Sequence, residues 1–218
     1  MTQLNNNDLV LINPLKRFFD IFISGLILLI LSPIILLIIL LIKLEGFLNK
    51  KNSGPILYSE TRISQGKPFT LYKFRIFKVS SYQPIRDRGE IVQTKPLEKD
   101  PGNLTRTGKL LKSFYFDEFP QLWNVLNGDM SLVGPRPWNS PDYENEIKRG
   151  IYRKKVIKAG LTGPVQIHKL DAKKFGGEYQ LDINYINFCR DKRRISILLY
   201  DIKILIKSFI FMLKGQGL

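Results

Sequence analysis

The apolar and polar positions of the chain fall into two regimes that meet near Gly54-Pro55. From Ile21 to Ile42 every residue is apolar except Ser24, Gly25, Ser32 and Pro33. A helix of about 22 residues rising about 1.5 Å each covers about 33 Å, enough for a hydrocarbon layer about 30 Å thick. Pro33 removes a backbone hydrogen bond in the middle of this run and predicts a kink, where the Ser32 hydroxyl can satisfy a freed carbonyl. The flanks are basic on both sides, with Lys16 and Arg17 before the run and Lys43, Lys50 and Lys51 after it. Since Lys and Arg favour the cytoplasmic side, both ends prefer the same side. A helix that enters the bilayer, breaks at Ser32-Pro33 and returns meets both conditions; a kinked spanning helix competes with it on physics alone. The residues before Pro14 lack the basic start and small-residue cleavage site of a secretory signal.

Beyond Pro55 the period changes. Ile56 to Ile63 and Phe69 to Phe77 are β-rich runs separated by Ser64-Gln65-Gly66-Lys67-Pro68, the pattern of a hairpin. Lys73 and Arg75 alternate with Tyr72, Phe74 and Ile76 and so share one strand face, either a solvated surface or a phosphate-contacting one. Ser80 to Asn103, with Pro84, Gly89, Pro96, Pro101 and Gly102, reads as a long loop. Asp142 to Lys158 predicts a charged helix ending near Gly160, Leu181 to Cys189 a short one, and Ile195 to Leu213 a last one. In the last, apolar residues recur at helical spacing beside a narrower polar flank that includes Asp201, Lys203, Lys207 and Lys214. It is core, or an amphipathic element in the membrane interface.

Between these lies Phe116 to Pro137, FDEFPQLWNVLNGDMSLVGPRP. Pro120 fits the first turn of a helix, which sets Asp117 and Glu118 at or just before its N-terminus, where unpaired donors face ionised acids and bound phosphate. Arg106, Lys109 and Lys112 lead up to the pair and would keep it ionised. Adjacent carboxylates serve metal binding, acid/base work or nucleophilic attack.

Composition narrows the partners. The formal net charge of +15 calls for an anionic one: nucleic acid, an anionic membrane surface or a phosphate-rich substrate. Cys189 is the only cysteine, which removes internal disulfides and multi-cysteine metal sites, and His168 is the only histidine, which argues against a multi-histidine metal site and a Ser-His-Asp arrangement of the usual kind. A metal held by two oxygen ligands would be Mg2+, shared with substrate phosphates. A membrane-anchored basic module or an inactive scaffold is the alternative, but acids in the middle of a cationic surface would repel a polyanion.

The central block resembles the bacterial sugar transferases, small monotopic phosphoglycosyltransferases acting on polyprenyl phosphate. The resemblance extends through Lys16-Arg17-x-x-Asp20, Ser32-Pro33, Tyr72-Lys73-Phe74-Arg75, Leu104-Thr105-Arg106-x-Gly108, Gly160-Leu161-Thr162-Gly163, Asp182-x-x-Tyr185 and Tyr200-Asp201-Ile202-Lys203. It implies transfer of a sugar-1-phosphate from a UDP-sugar to undecaprenyl phosphate, with release of UMP. Asp117 would be the nucleophile, Glu118 would help hold Mg2+, and Arg136, Lys73, Arg75 and Lys112 would bind phosphate. Asp182 and Tyr185 would contact the nucleotide. It also implies an α+β fold with a re-entrant membrane helix in residues 1–50 and a mainly helical cytoplasmic domain over 51–218, carrying a small β-hairpin and interfacial amphipathic helices. The setting is the bacterial inner membrane, in contact with membrane lipid and without nucleic acid; a homodimer is compatible with it. Lys112 stands where the family commonly has arginine, and Pro164 and Gln166-Ile167-His168-Lys169 depart from its pattern.

Overall fold

The computed structural model describes residues 4–5 and 8–213; Lys214 of the predicted polar flank lies outside the described residues. In chain order the elements are α1 (Pro14–Leu48), β1 (Leu57–Ser64), β2 (Lys67–Phe74), α2 (Val79–Asp87), α3 (Thr94–Lys99), α4 (Arg106–Ser113), α5 (Gln121–Asn127) and β3 (Ser131–Val133), followed by α6 (Ser140–Lys148), α7 (Arg153–Val156), β4 (Gly160–Thr162), α8 (Pro164–Ile167), α9 (Gly177–Asp191) and α10 (Arg194–Leu213). They form two compact units, one of Met1–Leu26, Glu60–Leu71 and Gln121–Leu218, the other of Ile27–Ser59 and Tyr72–Pro120. The chain is α+β and mostly helical, as predicted.

The helix α1 differs from expectation in being continuous through Ser32-Pro33. Pro33 cannot bond the Leu29 carbonyl, and the Ser32 hydroxyl donates to that same carbonyl at 2.8 Å. The side chain thus satisfies the carbonyl that Pro33 leaves free, as expected. In the first unit α1 buries Lys16, Asp20 and Ser24, one turn apart, and in the second it buries Ile38 and Ile42. No residue between Ser24 and Ile38 is buried.

In the second unit Ile38 and Ile42 join Tyr58, Phe74, Phe77, Tyr82 and Leu111 in one core. The segment expected as a loop over 80–103 forms α2 and α3 instead. Buried Tyr82 anchors α2 by packing edge-on against Tyr58 at 5.3 Å, an apolar contact that overrides the polar composition of the segment. Leu104-Thr105-Arg106-x-Gly108 has a local physical basis. Thr105 caps α4 by accepting from the Gly108 amide at 2.8 Å. Gly108 has no room for a side chain, since a Cβ there would sit 2.1 Å from the Ile76 carbonyl oxygen. Glu45, from α1, accepts from the Arg106 and Thr107 amides at 2.7 and 2.8 Å, so a carboxylate satisfies two more orphan donors of α4.

The predicted hairpin forms with a two-residue turn, Gln65-Gly66, at φ 50° and 74°. Both angles are positive, the twist a two-residue hairpin favours. In the first unit the helix predicted over 142–158 is broken: α6 ends at Lys148, Gly150 turns the chain at φ 72°, and a single turn, α7, follows. Beyond it β4 pairs in parallel with β3, Ser131 opposite Gly160 and Val133 opposite Thr162. The sequence did not reveal this sheet, because strands of three residues are too short to display a period. The helices predicted over 181–189 and 195–213 are present as α9 and α10, the first longer than expected.

Candidate active site

Asp117 and Glu118 lie on a 3-10 turn over Phe116–Glu118, directly after Tyr115 at φ 58°. A left-handed tyrosine stores roughly 1–2 kcal/mol of strain, held here by the packing around it. Phe114, Phe116 and Phe119 stack in sequence at 5.6 and 4.9 Å, and Phe116 and Phe119 pack against the core. The aromatic residues flanking the acids therefore fix the turn on the second unit.

Asp117 is 7% exposed and lines a narrow cleft with Lys73, Thr94 and Glu98. Burial, and after it the Glu118 charge, raise its pKa to about 7, with Lys73 opposing them. The expectation that basic neighbours keep the pair ionised is corrected: the aspartate is buried, and Arg106 and Lys109 are exposed on α4. Lys73 bonds Glu118 at 3.2 Å. Glu98, which sequence reasoning missed, pairs with Lys112 at 3.2 Å and adds negative charge near Asp117. It sits in the segment read as a loop, so no pattern pointed to it.

Arg75 does not share a cationic face with Lys73. Strand β2 ends at Phe74, and the guanidinium of Arg75 is 1% exposed, donating to the Pro55, Phe77 and Asn52 carbonyls at 2.6, 2.8 and 2.9 Å. All three donors aim inward, so it ties backbone segments together rather than offering a phosphate site.

The other predicted site residues belong to the first unit. Arg136 is exposed between buried Pro135 and Pro137 in the turn after β3. That turn is interlocked with Gly160-Leu161-Thr162-Gly163: a Cβ on Gly160 would lie 2.1 Å from the Gly134 nitrogen, and one on Gly163 2.2 Å from the Gly134 oxygen. Only glycine permits this approach. The strand before the turn is held by Lys16, whose ammonium donates to the Val133 carbonyl at 3.2 Å and pairs with Asp201, and by Asp20, which accepts from Ser131 at 2.7 Å. Arg17 caps α5 through the Val125 and Leu126 carbonyls at 2.6 and 2.7 Å.

Asp182 and Tyr185 are corrected too. Asp182 is fully buried and bonded to Arg153 and Lys154 at 2.9 and 2.8 Å. Tyr185, also buried, donates to Asp201 at 2.7 Å and lies 3.2 Å from the Val133 carbonyl. Neither faces solvent, so neither is placed to touch a nucleotide.

The acid pair suits a hard divalent cation, being oxygen-only and, once Asp117 gives up its proton, carrying more negative charge than Lys73 offsets. Among the described residues no cluster of three or more His, Cys, Asp or Glu could hold a metal alone, so substrate phosphates would have to complete the shell.

The sequence from residue 11 to residue 215 matches the bacterial sugar transferase family, and the chain belongs to it. It is therefore an enzyme, a phosphoglycosyltransferase by family. Among its relatives is the uncharacterized sugar transferase EpsL of Bacillus subtilis, 37% identical over 175 residues, 79% of this chain and 78% of EpsL. The UDP-glucose:undecaprenyl-phosphate glucose-1-phosphate transferase of Escherichia coli is 38% identical over 158 residues, 71% of this chain and 31% of that protein. The undecaprenyl-phosphate galactose phosphotransferase of Salmonella typhimurium is 36% identical over 162 residues, 70% and 32% respectively. The chain thus spans about three quarters of EpsL but about a third of these two named transferases.

Proposed function

We propose that the chain transfers a sugar-1-phosphate from a UDP-sugar to undecaprenyl phosphate at the cytoplasmic face of the bacterial inner membrane. The observation that carries this reading is Asp117: a buried carboxylate on a strained turn, beside the Glu118–Lys73 pair, in a chain of this family. A carboxylate oxygen of Asp117 attacks the sugar-bearing phosphorus of the donor, the bond from that phosphorus to the bridging oxygen breaks, and UMP leaves. The acceptor's phosphate oxygen then attacks the same phosphorus, frees the Asp117 carboxylate and yields the polyprenyl diphosphate sugar. Lys73 orients Glu118, and Arg136 binds phosphate charge that grows in the transition state. Mg2+ held by Asp117, Glu118 and the donor phosphates would neutralise charge on the transferring group. The test is UMP release from a panel of UDP-sugars with undecaprenyl phosphate and Mg2+. Release from at least one donor, lost on chelation, is expected; none from any donor would end the proposal.

The same reading makes α1 a re-entrant element that bends at Ser32-Pro33, where the proline leaves the Leu29 carbonyl without a backbone donor. Ser24 and Ile38 are buried, and the residues between them are exposed or half-buried, with Ile35 packed against the core of the second unit. Basic residues flank the apolar run at both ends, Lys16 and Arg17 before it and Lys43, Lys50 and Lys51 after it, which supports an arrangement with both ends of α1 on the cytoplasmic side. The outward face of α10, with Ile195, Leu199, Ile206 and Phe209 more than half exposed, rests in the same interface. With Cys189 replaced by Ala, Leu9→Cys and Lys51→Cys are expected to react with an impermeant thiol reagent from the same face of sealed vesicles. Modification from opposite faces would mean a spanning helix.

A further inference from the structure

The first unit holds a cavity of about 440 Å³ between the end of α8 and the last turns of α10. Ile167, Leu170, Ile210 and Phe211 supply apolar walls, and Lys207 stands among them with His168 and Asp171. His168 Nδ1 lies 3.0 Å from Asp171 and its ring 4.3 Å from Phe175, so the acid is tied to the α8 side of the cavity while Lys207 comes from α10. The volume falls in the range of small-molecule sites. Its lining, hydrocarbon walls with the Lys207 ammonium from α10 beside the His168–Asp171 pair, fits an apolar chain whose terminal phosphate meets Lys207.

What adjoins the cavity identifies the source of that chain. Helix α10 buries Ile197, Asp201, Ile204 and Ser208 inward and leaves Ile195, Leu199, Ile206, Phe209 and Ile210 exposed at 54, 61, 57, 61 and 44%. Ile210 belongs both to this exposed face and to the cavity wall, so the cavity continues the surface that faces lipid. None of the lining comes from Asp117, Glu118, Lys73 or the turn carrying Arg136, so the cavity is built without the residues proposed for the reaction.

We infer that this cavity binds an anionic bilayer phospholipid, one acyl chain between α8 and α10 and its phosphate on the Lys207 ammonium. The inference rests on the proposed membrane-surface setting. The site would fix the end of α10 in the interface independently of the donor and acceptor.

The full chain, purified in detergent, is tested by native mass spectrometry against dioleoylphosphatidylglycerol and dioleoylphosphatidylcholine. Saturable retention of phosphatidylglycerol over phosphatidylcholine is expected. Lys207→Gln should weaken it about tenfold, the scale of one hydrogen bond to a charged group. Ile210→Trp, which narrows the cavity and leaves every charge in place, should weaken it too, whereas Lys203→Gln, one turn away and outside the lining, should not. UMP release measured without added phospholipid should be the same in these variants as in the wild type. Equal retention in all of them would overturn the inference, as would equal loss in Lys203→Gln, the sign of diffuse charge alone. Displacement of phosphatidylglycerol by undecaprenyl phosphate would overturn it in favour of an acceptor site. Absence of UMP release with selective retention intact would sink the proposed reaction and leave the lipid site standing.

Discussion

Asp117→Asn is expected to abolish UMP release, by at least about a thousandfold, because an amide of nearly the same shape cannot open the covalent step. Wild-type enzyme given donor without acceptor should form an adduct on the peptide containing Asp117, and the variant should form none. Full activity in Asp117→Asn, or an adduct elsewhere, would defeat the assignment. The variant should also remain folded. Asp117 is buried beside Glu118, and burial and that charge hold its pKa at about 7 against the usual 3.8. Between these two values the folded metal-free protein keeps a proton that the unfolded chain has lost, so its stability falls as pH rises across the window. Asparagine removes that penalty. Melting measured without metal should therefore show Asp117→Asn as stable as the wild type at pH 4 and more stable at pH 8. A variant that melts lower at pH 8 would mean that its lost activity reports unfolding, not chemistry.

How much of this was legible in the sequence depended on the length scale of the interaction. The apolar run, the hairpin and the α10 pattern repeat over many residues, so periodicity found them. The Asp117-Glu118 pair was found as a local motif, but its burial was not, because the walls of its cleft come from Lys73, Thr94 and Glu98, between 19 and 44 residues away in the sequence. Arg75 shows the opposite failure. Alternation placed it on a strand face with Lys73, yet the strand ends one residue earlier and three backbone carbonyls capture the guanidinium. Alternation constrains a side chain only while the ladder lasts. Short motifs such as Lys16-Arg17-x-x-Asp20 and Tyr200-Asp201 could be read as chemistry or as packing. Their partners, the Val133 carbonyl, Ser131 and each other, make them packing around β3.

Asp182→Ala is expected to cost the most stability of any single change in the first unit, about 3–5 kcal/mol, because it strips one acid from a buried cluster and leaves its cations in place. Arg153 spends Nε and Nη2 on Glu146 and Nη1 on Asp182, while Lys154 has Asp182 as its bonded acid. Both cations lie over the Trp138 ring, at 4.8 and 5.1 Å from its centre. Trp138 in turn accepts from the Ile63 amide at 2.8 Å and follows the turn bearing Arg136 by one residue. Loss of Asp182 should therefore unsettle that turn as well, lowering activity in the fraction that stays folded. The pH dependence separates this account from a simple cavity. Burial already lowers the pKa of Lys154 from 10.5, with Asp182 opposing the fall, so removing Asp182 must lower it further. Above the folded-state value and below 10.5 the unfolded chain binds a proton that the folded variant does not, and stability rises with pH there. The melting deficit of Asp182→Ala should thus shrink from pH 7 to pH 9, and Lys154→Met in the same background should recover part of it. A deficit unchanged by pH and by the second substitution would mean that Lys154 is not stranded, and that the lost packing of the aspartate alone explains the effect.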